Sequence, residues 1–374
     1  LDAGIVDSRE APEAETELMS DSGSALEPSP LSRTPRRGPL TRLGAVFWNR
    51  EDRRIRALWR VTALVALILG SGLAVRATGL LPGPDTRAFP VVASLLRLII
   101  AAAAVWLTGR FLDRRRFRDF GLSLDRRWWT DLGFGLSLGA GLMSAIFVVE
   151  WALGWVEVTD ILRTTVPGEA FARAILAPAT IFVCVGIVEE LVARGYLLRN
   201  LAEGLAFPRL GGPRSGLLGA CVVSSALFAF GHAGNPNATW VSTASIAVAG
   251  VFLALGFLLT GELAIPIGLH VTWNFFQGSV FSFPVSGVST LRTSVIATEQ
   301  LGPTLWTGGA FGPEGGLLGL AAMLLGAAVV LVWVRWHHGV VRLATHLAEP
   351  PLRGVPGPAA EEGGLPETAS GTPS

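Results

Sequence analysis

"GIVEELVARGYLLRN", residues 186–200, puts two adjacent glutamates and an arginine at the end of a run of fifteen uncharged residues, Ala174 to Val188. In water this pattern is an ordinary amphipathic helix end. In a bilayer each central charge costs roughly 2.5–3.5 kcal/mol on insertion scales, so something must offset it. The solvent decides the fold, and composition decides the solvent. The chain is 50% hydrophobic and only 16% charged, against about 25% charged for a soluble domain. Apolar runs near the span length of about 20 residues recur eight times: at about 58–81, 89–109, 132–153, 173–198, 215–234, 240–260, 262–283 and 315–336. The reading is an all-α, polytopic integral membrane protein of about eight transmembrane helices.

Working outward, residues 1–57 and 337–374 mix Pro, Gly, Ser and acidic residues without an apolar period and read as disordered tails around a membrane domain at 58–336. An apolar run that begins only near Leu58 argues against a cleavable signal peptide. Arginines collect before run 1, in "RFLDRRRFRDFGLSLDRR" between runs 2 and 3, between runs 4 and 5 (Arg199, Arg209, Arg214) and at Arg335. By the positive-inside rule these mark the cytoplasmic side, which places both termini in the cytoplasm of a multi-pass cell-membrane protein. Membrane lipids are the expected partners, and nucleic acid is not. The sequence contains no lysine, which excludes Schiff-base and Ser-Lys chemistry. Cys184 and Cys221 have no CxxC or metal spacing and read as buried apolar fillers. Arg97 and Glu150 read as a structural pair across runs 2 and 3, and Arg76 as a snorkelling helix-end cation.

The polar residues left within the spans cluster in runs 4, 5 and 7. Glu190 and Arg194, four apart, share a helix face and neutralise each other. Glu189, rotated by roughly 100°, points to another side and stays available. "SSALFAFGHAGNPN" puts His232 one turn beyond Phe228 at the end of run 5, and "IPIGLHVTWNFFQG" puts His270 and Asn274 on one face of run 7. Taken singly, each has a structural explanation. Together they form a constellation.

"EELVARGYL", "SSALFAFGH" and "IPIGLHVTWN" resemble the successive EExxxRG, FxxxH and HxxxN motifs of the CPBP family of intramembrane proteases, which includes the type II CaaX prenyl endopeptidase, over a core of about 173–283. Ala193 departs from the aromatic that many members carry before the arginine. The resemblance implies that Glu189 and His232 activate a water, that His270 and Asn274 bind the developing oxyanion, and that Glu190, Arg194 and Phe228 support them. It also implies a membrane-associated peptide or protein substrate, lipid-modified or otherwise tethered. Two histidines and a carboxylate equally suit a zinc ion on Glu189, His232 and His270, and the sequence leaves the metal and metal-free mechanisms both open. An ion-coupled carrier using the same groups as a relay, or a non-catalytic scaffold or peptide-toxin immunity protein, are the competing classes. The site is expected in a cytoplasm-facing cavity between helices 4, 5 and 7, with helix 5 tilted or starting later than Gly216 so that His232 can reach it.

Overall fold

The computed structural model describes residues 46–351 apart from 51, 80, 84, 85, 166, 167 and 290–292. Most of the expected tails, 1–45 and 352–374, lies outside the described residues. The eight apolar runs fold as helices: α1 (Ala57–Ala77), α2 (Ala88–Thr108), α3 (Arg126–Ala152), α4 (Leu176–Glu190), α5 (Gly212–His232), α6 (Trp240–Thr260), α7 (Ala264–Phe275) and α8 (Leu317–His337). Helix α3 starts six residues before the drawn run because Asp125 caps it, its carboxylate accepting from the Trp128 N–H at 2.8 Å. Helix α4 continues through a π-helical stretch, Leu191–Leu198, into Arg199–Leu205.

Among the described residues, seven helical segments are long and apolar enough to cross a membrane; α7 is not one of them. Its twelve residues, extended only by the π turn Phe276–Val280, rise about 18 Å, short of the roughly 30 Å hydrocarbon core. The run drawn at 262–283 was apolar for another reason. Ala264 to His270 are buried without a break, so α7 is wrapped by protein where a spanning helix would meet lipid. Leu69, Ile99, Phe230 and Val332 of the longer helices are instead more than half exposed, as lipid-facing side chains must be.

Helix α7 packs against α3, α4 and α6. Its approach to α3 is set by Gly135 and Gly139, a small-xxx-small pair. A Cβ on Gly135 would stand 2.4 Å from the Ile265 carbonyl oxygen, and one on Gly139 2.4 Å from that of Leu269. The Thr272 hydroxyl donates across the same seam to the Leu136 carbonyl at 2.7 Å. The helix bearing the HxxxN motif is thereby fixed by backbone contact.

The longer of two local exceptions to the all-α reading is an antiparallel ladder of β1 (Val156–Arg163) and β2 (Ser294–Gln300), with an irregularity between Val158 and Asp160. It ties the α3–α4 connection to the segment before α8, of which Ser294–Gln300 is paired strand. The Arg97–Glu150 pair does not form. Glu150, fully buried, accepts from Gln300 Nε2 at 2.7 Å. The C-terminal tail also begins later than residue 337: a 3-10 turn at Thr345–Ala348 buries Leu347 and Ala348 against the α5 side of the core. At the other end, Arg54 lies in a two-residue ladder, Arg54–Ile55 with Trp48–Asn49. Arg54, Arg60 and Arg115 converge on Glu203, and Arg60 also meets Asp113, at 2.5–3.1 Å. Cys184 and Cys221 are buried and unpaired, as read.

Candidate active site

Glu189 and Glu190 end α4 and, as neighbours on a helix, leave it in different directions. Glu190 is fully buried and its Oε1 accepts from Arg194 Nη1 at 2.8 Å, the i,i+4 pair that the spacing predicts. The same guanidinium donates to the Gly250 carbonyl of α6 at 3.1 Å and lies 4.4 Å over the Phe228 ring. Three features therefore neutralise and orient one arginine. Sequence spacing could find Glu190 but not Gly250, a backbone acceptor 56 residues away.

His270, seventh in α7, brings Nδ1 to 2.7 Å from Glu190 Oε1. A carboxylate accepts there, so Nδ1 carries the proton and Nε2 is turned toward Glu189. His232, the last residue of α5, has Nδ1 2.8 Å from the Phe228 carbonyl. That oxygen can only accept, so Nδ1 is again the donor and Nε2 again faces the carboxylate. The two Nε2 atoms lie 4.0 Å (His232) and 3.8 Å (His270) from Glu189 Oε2. These separations are too long for direct hydrogen bonds and suited to one intervening water. Phe228 packs beside both imidazoles, at 4.7 and 6.4 Å between ring centroids. Asn274, one turn beyond His270, lines the same space and has no hydrogen-bond partner among the described residues. All seven residues singled out from the sequence thus fall around one point, with Glu189 the most exposed of the three charged side chains, at 31%.

The point lies in a cavity of about 1260 Å³. Its position corrects the expectation. Walls come from α1 and α2 as well as α4 to α7, together with Ser282, Phe283, Ser286 and Glu314 of the segment before α8. Among the described residues, none of its lining comes from the arginine-rich loops at 109–125 and 199–214. Helix α5 does not start late either: it runs from Gly212, so His232 reaches the site at the end remote from those loops. Arg76 and Arg97, expected to snorkel and to pair, both line the cavity, and neither has a hydrogen-bond or ion-pair partner among the described residues.

Glu314 closes part of the wall. Its carboxylate accepts from Gln277 Nε2 and from the Ser286 N–H and hydroxyl, and burial pushes its pKa up to about 7 against those bonds. Nothing local in "TGGAFGPEGG" marked this residue as buried. Two imidazole nitrogens and one carboxylate are chemically suitable for zinc, and Glu190 behind His270 is the carboxylate that metal-bound histidines commonly donate to.

Compared with known proteins, residues 171–276 match the family described as type II CAAX prenyl endopeptidase, Rce1-like. The match takes in every residue from Glu189 to Asn274 discussed above and stops before the 282–316 segment. No curated protein and no solved structure matches the chain.

Proposed function

From a core of the CPBP, CaaX prenyl endopeptidase-like family at residues 171–276, we propose that this membrane protein is an intramembrane endopeptidase that hydrolyses a peptide bond of a membrane-associated substrate. One observation carries the reading: an incompletely buried carboxylate, Glu189, faces two imidazole Nε2 atoms across gaps of 3.8 and 4.0 Å inside a large cavity. A water in that gap is within reach of Glu189 as general base, a role worth about 10²–10⁴-fold in rate. His232, held by the Phe228 carbonyl with Nε2 unprotonated, accepts a second hydrogen bond from the same water.

The developing oxyanion requires donors. Asn274 supplies an unengaged amide. His270 donates from Nε2 only as the imidazolium, since Nδ1–H is committed to Glu190. In the alternative arrangement a zinc ion held by Glu189, His232 and His270 would supply Lewis-acid polarisation and a more acidic bound water. The donor types suit either mechanism, although a metal would require the three ligand atoms to close in from their present spacing; the protonation of His270 is where the two part. A substrate entering along α1 and α2 meets Arg97 and Arg76, so an anionic group placed away from the scissile bond would be favoured.

The test is purified protein in detergent mixed with a library of membrane-anchored peptides, products read by mass spectrometry, beside proton-flux measurements on proteoliposomes. Discrete fragments without flux are expected. Flux without fragments would make the carrier reading correct.

A further inference from the structure

A second cluster of potential ligands lies at the opposite end of the molecule, at the junction of α3 and α8. Asp131 is the sixth residue of α3 and 1% exposed; His337 ends α8 and His338 follows it. One ligand atom from each of the three lies within 4.8 Å of the others, the only such trio of His, Cys, Asp or Glu among the described residues. Asp131 Oδ2 is 3.0 Å from His338 Nε2, while Oδ1 accepts from the Trp333 indole N–H at 2.8 Å. The His337 ring stacks on Trp333, with centroids 5.0 Å apart and planes at 23°. Its Nε2 is shut off from solvent and has no hydrogen-bond partner among the described residues.

We propose that Asp131, His337 and His338 bind a divalent transition-metal ion of the zinc type, independently of the cavity at Glu189. An Asp–His hydrogen bond alone would explain Asp131 and His338. It leaves unexplained why a second imidazole is held beside them with a sealed, unsatisfied nitrogen, an arrangement that costs free energy unless something occupies it. Two imidazoles and a carboxylate are a normal zinc donor set, and at bonds of about 2.0–2.2 Å the ligand atoms of a tetrahedral ion stand roughly 3.3–3.5 Å apart. The Asp131–His338 separation is already close to that, and the His337 ligand atom, within 4.8 Å of both partners, has to draw in by a ring movement. Trp333 acts as the outer partner that fixes the carboxylate, as hydrogen-bonded neighbours of metal ligands usually do. The ion would lock the last turn of α8 to the first turns of α3.

The experiment uses the full chain without a polyhistidine tag, stripped with chelator and titrated with cobalt(II) and with zinc. Carrying Glu189→Gln and His232→Gln throughout removes the cavity as a source of signal. One equivalent of metal is expected, with cobalt ligand-field absorption in the visible. Adding His337→Gln should remove that absorption and weaken binding at least tenfold, with the metal-free melting midpoint unchanged. His337→Gln in the otherwise natural chain should leave peptide cleavage as it is. No binding by folded protein, or binding that survives His337→Gln, would overturn the proposal.

Discussion

Around Glu203, three arginines close to 2.5–3.1 Å; around Glu189, two imidazole nitrogens stand off at 3.8 and 4.0 Å. Both are carboxylates on the same long α4 segment, one 14 residues after the other, and both face groups from other helices. The charges of the Glu203 cluster are spent on one another, with only Arg60 Nε and Asp113 Oδ2 left without a partner among the described residues, and Arg60 is 1% exposed although it sits in an apolar helix. The Glu189 cluster is closely paired only behind that carboxylate, where Glu190 Oε1 holds Arg194 and His270 at 2.7–2.8 Å. In front, Glu189 and Asn274 keep their hydrogen-bonding capacity. Close pairing suits holding helices together, and an open front suits chemistry.

The comparison can be broken at several places. The largest effect is expected at the open front: Glu189→Gln should lower cleavage by about 10²–10⁴-fold, with a melting midpoint in detergent no lower than that of the parent protein. Removing the closely paired carboxylate should do the reverse. Glu203→Gln leaves three buried arginines short of a partner, a loss of about 3–5 kcal/mol for a buried pair, read as a clear fall in the melting midpoint while cleavage per folded molecule is kept. Asn274→Ala should reduce kcat by about 10²–10³-fold, with substrate binding and stability untouched because the amide supports no other group.

Smaller effects follow at the supports. Gly139→Ala drives a methyl to 2.4 Å from the Leu269 carbonyl and the Thr272 hydroxyl, an overpacking cost of about 1–3 kcal/mol. Because α7 must shift to relieve it, cleavage should fall more than stability does. The smallest effect is at Glu314. Its pKa is raised to about 7 by burial, so the folded segment prefers the protonated form. That contribution is complete below the ordinary carboxylate range near 4.5 and is lost as pH rises through about 7. Limited proteolysis of the 282–316 segment should therefore speed up between about pH 5 and 7, and Glu314→Gln should flatten the dependence.

What was legible in the sequence was local or periodic. The Glu190–Arg194 pair is an i,i+4 relation within one helix, and the order of apolar runs gave α1 to α8 in place. The length of α7 was not legible, since hydropathy scores Ala264–Leu269 alike whether protein or lipid covers them. The β1–β2 ladder joins residues more than 130 apart, and the Arg60–Glu203 contact spans 143, so neither leaves a local trace. The arginines before run 1 and at 110–118 looked like a topology signal alone, yet Arg54 and Arg115 also join Arg60, inside run 1, in the Glu203 cluster. His337 and His338 were placed in a tail because they follow the last apolar residue; their partner, Asp131, lies two hundred residues earlier.

The central claim is that Glu189 activates a water and does not itself attack the peptide. The most direct measurement is a single turnover in oxygen-18 water on a membrane-anchored peptide that the protein cleaves, with mass analysis of both the product and the Glu189 peptide. The account predicts one heavy oxygen in the new C-terminal carboxylate and none in Glu189. Label in Glu189 with an unlabelled product would mean a covalent glutamyl intermediate and would contradict it.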